Sequence, residues 1–130
     1  MRSALIVEDE PADIRTAQRC TRAAGFEMIE AKTTDAAARL YLEKALRRDV
    51  PSPNVIILDL NLGYESGHEI LRFWHTTPAL KQIPMIVWSR YGDDQKLICE
   101  CFQIHAYVDK SDGESALQAA LKSVSNAGGD

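Results

Sequence analysis

Residues 55–62 read VIILDLNL, Val55-Ile56-Ile57-Leu58-Asp59-Leu60-Asn61-Leu62, and this stretch decides the fold. Its first four residues are apolar without a break, and Val55, Ile56 and Ile57 are β-branched. That is the composition of a strand covered on both faces, as in a parallel sheet flanked by helices. Pro51, Ser52, Pro53 and Asn54 punctuate its start and Gly63 its end. Asp59 therefore stands where a central strand leaves the core. In open α/β sheets, ligands and chemistry gather just outside the carboxyl ends of the strands. A lone aspartate there is equally a solvated turn residue, so its weight depends on what the other strands deliver.

Outward from this run, apolar strands alternate with helical patterns five times. Residues 4–7 form a buried strand that ends in Glu8, Asp9 and Glu10. Pro11 then suits the first turn of a helix, with Ile14, Ala17, Thr21 and Ala24 at helical spacing and Gly25 as its stop. Residues 26–31 make a weaker strand. Thr33 or Asp35 caps a second helix with a face of Ala37, Leu40, Tyr41 and Ala45. Beyond Gly63 and a flexible Ser66-Gly67, a third helix turns Ile70, Leu71 and Trp74 inward, and residues 78–82 connect it to a fourth strand over 84–89. A fourth helix from Asp93 or Asp94 carries Leu97, Ile98, Cys101 and Phe102. Residues 105–110 are the fifth strand, and Ser111 or Asp112 caps a last helix bearing Leu117, Ala120, Leu121 and Val124. Strict β-α alternation implies an α/β fold: a doubly wound, flavodoxin-like parallel sheet of five strands in the order 2-1-3-4-5, with helices on both faces. One domain over residues 1–125 is expected, with 126–130 fraying as a tail.

This order gathers the polar strand ends. Glu8 and Asp9 leave the first strand, Asp59 the third, Ser89 the fourth and Lys110, just after Asp109, the fifth. Three carboxylates so close together repel one another and call for a cation. An all-oxygen set with room for water suits Mg²⁺. Lys110 adds a fixed positive charge and Ser89 a hydroxyl donor. A carboxylate nucleophile beside Mg²⁺, a lysine and a hydroxyl can accept a phosphoryl group as an acyl phosphate.

The same pieces resemble a response-regulator receiver domain of two-component signalling, and the resemblance covers nearly the whole chain. It rests on LIVEDE at the first strand, VIILDLNL around Asp59, PMIVWS ending in Ser89 and AYVDK with Tyr107 and Lys110. The resemblance implies that Asp59 is the phosphoacceptor and that Asp9 and Asp59 bind Mg²⁺ directly. Glu8 acts through water or stands nearby, and the Asn61 backbone carbonyl completes the set. Ser89 takes the role of switch hydroxyl, Tyr107 of the aromatic that changes rotamer, and Lys110 of the phosphate-pairing lysine. A sensor histidine kinase or phosphotransfer protein is the implied donor. A downstream target protein, or a second copy, docks on the face of the fourth helix, fifth strand and fifth helix. Such a protein is not an enzyme but assists its own phosphorylation and dephosphorylation. A stand-alone regulator without an appended domain, similar to the chemotaxis-type ones, is expected, and LKQIP and YVDKS resemble the regulators paired with bacterial phytochrome kinases. The chain departs from the family pattern at Gly63 and Ser111, where proline is common, and at Arg90, where a small residue is usual. A trans Lys110-Ser111 bond is expected, Arg90 is expected to gate the donor, pair with phosphate or point into solvent, and Trp88 to fill the core.

Composition narrows the alternatives. The chain has 130 residues, 45% hydrophobic and 26% charged, with a net charge of −4. This acidic balance argues against nucleic acid as a partner. Arg2 and the short first strand resemble neither a leader nor a membrane span, so a cytoplasmic location is expected. Cys20, Cys99 and Cys101 read as free thiols, and His68, His75 and His105 as packing or surface groups without ligand spacing. Three rivals remain. A receiver that only scaffolds partners needs none of the chemistry. A flavodoxin-like cofactor binder needs a phosphate-cradling loop where this chain has Glu8-Asp9-Glu10-Pro11. A Mg²⁺-dependent phosphohydrolase would want a second carboxylate two residues after Asp59, where Asn61 stands.

Overall fold

The computed structural model describes residues 2–29, 31–62, 65–90 and 93–127. Five parallel strands form one sheet: β1 (Ser3–Val7), β2 (Glu27–Met28), β3 (Val55–Leu58), then, after a hairpin of β4 (Asn61–Leu62) and β5 (Glu65–Ser66), β6 (Met85–Ser89) and β7 (Ala106–Asp109). Their order is β2-β1-β3-β6-β7, the expected 2-1-3-4-5 once the hairpin is set aside. Alternation along the strands sorts the core into two layers. Leu5, Val7, Ile56, Leu58, Met85 and Val87 pack under α2 (Asp35–Leu46), α3 (His68–Thr76), α4 (Pro78–Lys81) and α5 (Asp93–Cys101). Ala4, Ile6, Val55, Ile57, Ile86 and Trp88 pack under α1 (Pro11–Ala23) and α6 (Glu114–Ala127). β3 is buried along its whole length, as its unbroken apolar run requires.

Parallel register aligns the strand ends. Val7 pairs with Leu58, Leu58 with Val87, and Ser89 with Asp109. Glu8, Asp59, Ser89 and Lys110 consequently leave the sheet at one edge, and the Asp59 N–H donates to the Val7 carbonyl at 3.0 Å.

Several local expectations are corrected. The second strand pairs over two residues only, helped by a Val7–Lys32 bridge, because an edge strand needs few partners. Thr34, not Thr33 or Asp35, caps α2 through the Ala37 N–H, and the buried face is Ala38, Leu42 and Ala45, leaving Leu40 50% exposed. The Asp35 carboxylate instead accepts from the Ile70 N–H at the start of α3. Ser66 belongs to the hairpin rather than to a flexible loop, and the 78–82 connection contains α4, anchored by Leu80. In α5 it is Cys99 that is buried, while Leu97 is 62% exposed and Cys101 lies at the surface. Lys110, Ser111 and Asp112 form a 3₁₀ turn capped by Asp109, and α6 begins at Glu114. Gly25, at φ +89°, does end α1, and Ile70, Leu71, Trp74, Leu117, Leu121 and Val124 are buried as expected. Gly63 and residues 128–130 lie outside the described residues.

Candidate functional site

A cleft of about 250 Å³ opens at the carboxyl edge of the sheet, lined by Glu8, Asp9, Glu10, Asp13, Asp59, Asn61, Arg90 and Lys110. Carboxylate oxygens of Glu8, Asp9 and Asp59 lie within 4.8 Å of one another. Glu8 is 1% exposed and Asp59 5%, while Asp9 is half-buried at the mouth. Three local devices fix them. The Asp9 and Glu10 N–H groups both donate to Glu8 Oε1 at 3.1 Å. The Asn61 N–H donates to Asp59 Oδ1 at 2.9 Å. Behind Asp59, the backbone of Gly67 packs against the chain so closely that a side chain there would collide with it.

Lys110 organises the charges. Its Nζ donates to Glu8 Oε2 at 2.6 Å, Asp13 Oδ2 at 2.8 Å and Asp59 Oδ2 at 3.0 Å, using all three ammonium protons. Burial alone lowers the Lys110 pKa, but its hydrogen bonds to Asp13, Glu8 and Asp59 outweigh it and the pKa is raised, so the ammonium stays charged. Glu8 shows the cost of the crowd. Burial pushes it up to about 7; the Lys110 hydrogen bond opposes this and the Asp59 charge reinforces it. Lys110 Nζ also lies 4.8 Å over the Trp88 ring, adding a cation–π contact on its apolar side.

The sequence-derived residues converge with one addition. Glu8, Asp9, Asp59, Asn61 and Lys110 all line the cleft. Ser89 ends β6 fully buried, with no hydrogen-bond partner for its Oγ among the described residues. Tyr107 lies on β7 opposite Val87, half-buried against the core beneath the site. Arg90 reaches inward to Asp13 Oδ1 at 3.4 Å, its side chain 58% exposed at the lip. Trp88 packs in the core, 3% exposed. Asp13 is the residue that sequence reasoning missed, since an acidic group in the first turn of a helix is the ordinary complement of the helix dipole. Its only sequence signal is its place on the buried face of α1, one turn before Ala17. The histidines stay out of the cleft. His75 Nδ1 lies 3.1 Å from the Phe102 carbonyl and His105 Nε2 2.7 Å from Ser123 Oγ.

The donor set fits a hard divalent cation. All candidate ligands are oxygens, they converge on one point, and Asp9 leaves the site open to water. Glu8 takes two backbone N–H groups and the shortest Lys110 contact, at 2.6 Å, whereas Asp59 takes one backbone N–H and holds Lys110 at 3.0 Å, which suits Glu8 to the more indirect role.

Comparison with known proteins decides the family. The sequence pattern of the response regulator receiver domain matches residues 4–122. The chain belongs to the response regulator receiver family. Among relatives of this receiver, response regulator Rcp1 of Synechocystis sp. is 32% identical over 110 residues, which are 82% of this chain and 75% of Rcp1. Two solved structures are similar throughout. The Mn²⁺-bound form of Rcp1 aligns with a TM-score of 0.78 at 28% identity, covering 97% of this chain and 93% of that one. The phosphorylated cyanobacterial phytochrome response regulator RcpA aligns with a TM-score of 0.78 at 27% identity, covering 96% and 91%. The receiver is thus a signalling protein of two-component type, similar to phytochrome-associated regulators, and no helix among its described residues is long and apolar enough to cross a membrane.

Proposed function

We propose that this receiver accepts a phosphoryl group on Asp59 from the phosphohistidine of a sensor kinase or phosphotransfer protein in the cytoplasm, with Mg²⁺ as its divalent cation. The observation that carries the reading is Lys110 Nζ, held 3.0 Å from Asp59 Oδ2 inside an acidic, metal-competent cleft. The phosphorylated state of RcpA and the Mn²⁺ bound to Rcp1 support it by similarity. An Asp59 oxygen attacks phosphorus as the P–N bond to the donor imidazole breaks, and the ring nitrogen keeps the electron pair and takes a proton. Asp9, Asp59 and the Asn61 carbonyl hold the cation, which when bound neutralises the oxygens of the transferring group. Lys110, its own side chain buried, offers a phosphoryl oxygen a charged hydrogen bond. By the same charge stabilisation these residues assist the later loss of phosphate to water.

Ser89 then supplies the switch. A buried hydroxyl without a partner is costly, and a phosphoryl oxygen arriving above the neighbouring strand gives it one. Its displacement opens space into which Tyr107 turns, biasing the face formed by α5, β7 and α6 toward a target protein or a second copy of the chain. Phosphate shifts that equilibrium only by its differential interaction with the two states, so some activity persists without it. The acidic lining, with Glu8, Asp9, Glu10 and Asp13 around the first strand end, repels the phosphate of a nucleotide or flavin cofactor. Incubation with acetyl phosphate and Mg²⁺ tests the assignment. The wild-type chain gains one phosphoryl group by intact mass and Asp59→Asn gains none; undiminished labelling of the variant sinks the reading.

A further inference from the structure

The acid that the site does not need for metal or for nucleophile is Asp13. It is 9% exposed, and each of its carboxylate oxygens holds a different cation: Oδ2 takes Lys110 at 2.8 Å and Oδ1 takes Arg90 at 3.4 Å. An aspartate present only to complement the α1 dipole would sit in water at the helix end. It is also outside the group of oxygens that converge as candidate metal ligands, which is Glu8, Asp9 and Asp59. What Asp13 does is occupy both cationic side chains of the cleft.

We propose that Asp13 is a competing counter-ion, a positioning residue that holds Lys110 and Arg90 in the resting site and limits the rate at which Asp59 is phosphorylated. This rests on Asp59 being the phosphoacceptor. All three Lys110 protons are engaged, and the longest of its hydrogen bonds is the one to Asp59. The Asp59 bond can pass to the phosphoryl group that Asp59 carries, but Lys110 can move toward that group only if a second acceptor lets go. Glu8 is pinned, because its other oxygen takes two backbone N–H groups. Asp13 is the acceptor that can yield, since its second partner is an exposed arginine at the far end of a long hydrogen bond. Release frees two cations together: Lys110 for the oxygens on Asp59, and Arg90, whose planar fork matches a phosphoryl group, for the incoming donor. Asp13 also adds a negative charge to a cleft that must admit an anionic donor.

The test is the phosphorylation rate of the intact chain with acetyl phosphate, at Mg²⁺ concentrations that saturate each variant. In the step measured, the Asp59 O–P bond forms as the P–O bond to the acetyl carboxylate breaks, and acetate leaves with the electron pair. Asp13→Asn, nearly isosteric, is expected to raise the rate constant about threefold to tenfold, the worth of one net hydrogen bond. Asp13→Ala moves it the same way, Asp13→Glu returns it toward wild type, and adding Arg90→Gln to Asp13→Asn removes part of the gain. A rate in Asp13→Asn within twofold of wild type, or below it, overturns the proposal, as does a gain that Asp13→Glu retains in full. Labelling that survives in Asp59→Asn removes the phosphoacceptor assignment itself, so the two failures are told apart.

Discussion

Gly67 and Asp59 are in closer backbone contact than any other residue type at 67 would permit. A Cβ built on Gly67 falls 2.7 Å from the Asp59 carbonyl oxygen and 3.1 Å from Leu60 Cα. Because both neighbours are backbone, no side chain can move aside. Meanwhile the Gly67 N–H donates to the Leu60 carbonyl at 2.8 Å, and the Gly67 carbonyl accepts from Leu71 N–H as α3 begins. The glycine thus ties the start of α3 to the loop that carries the nucleophile. Gly67→Ala should cost about 1–3 kcal/mol, the usual penalty for forcing a methyl group into a filled space. Urea unfolding measures this as a lower midpoint, and a variant equal to wild type would mean that the loop relaxes freely.

Asp59→Asn should unfold at higher urea than wild type. Glu8, Asp13 and Asp59 share one ammonium, and the Asp59 charge is one of the causes that raise Glu8. Asparagine removes one repelling charge, and its single oxygen keeps either the Lys110 or the Asn61 N–H hydrogen bond, so the charge relief must exceed the loss of the other. The gain should be about 1 kcal/mol, the order of a single charge–charge interaction in a partly solvated site. It is read as a shifted midpoint at unchanged slope. Function, on this view, is held at the expense of stability. A lower midpoint for Asp59→Asn would show that its attraction to Lys110 outweighs the repulsion.

Legibility of the sequence followed the strength of periodic signals. The unbroken apolar strands at 4–7, 55–58 and 85–88 made the β-α alternation legible, the doubly wound order 2-1-3-4-5 followed from five such strands, and that order brought Glu8, Asp59, Ser89 and Lys110 to one edge. Helix faces were harder where alanines abound. In α2, Ala36, Ala37 and Ala38 make several faces equally apolar, so nothing local announced that Ala38 and Leu42 turn inward and Leu40 outward. Asp13 escaped because its partners, Lys110 and Arg90, are distant in sequence and no spacing rule connects them. The hairpin over Asn61–Leu62 and Glu65–Ser66 escaped for the opposite reason, being too short to carry a pattern. Gly67 read as flexibility although it is required by contact, a distinction that only the approach of Asp59 could make.

Alkaline pH should destabilise the fold through Cys99. Burial pushes this thiol up to about 11, with the Glu100 charge adding to the effect, from an ordinary value of 9.0. In the unfolded chain the thiol ionises near pH 9, while in the native chain it keeps its proton to about pH 11. The unfolded state therefore binds fewer protons between these values, and stability falls as pH rises through that window. The full effect is about 2–3 kcal/mol at the alkaline end and nil below pH 8. Cys99→Ala should start less stable, because it leaves a small void, and should show a shallower decline between pH 9 and 11. Parallel declines in the two proteins would place the alkaline sensitivity elsewhere.

Trp88 should report on Lys110. The ammonium sits 4.8 Å over its ring, whereas the other tryptophan, Trp74, donates its indole N–H to the Ile83 carbonyl on the opposite side of the sheet. A charge at this distance perturbs the indole, so a shift of Lys110 toward a ligand at Asp59 changes Trp88 emission while Trp74 contributes a constant background. Mg²⁺ with beryllofluoride, a stable phosphoryl mimic, should alter the emission of a Trp74→Phe variant, whose only tryptophan is Trp88. In Trp74→Phe/Lys110→Met the ring has lost the ammonium above it, and the response should collapse even where the mimic still binds by calorimetry. A response of undiminished size in the double variant would mean that the ring senses the cation or the mimic directly. Trp88 emission would then report on the occupied cleft and not on Lys110.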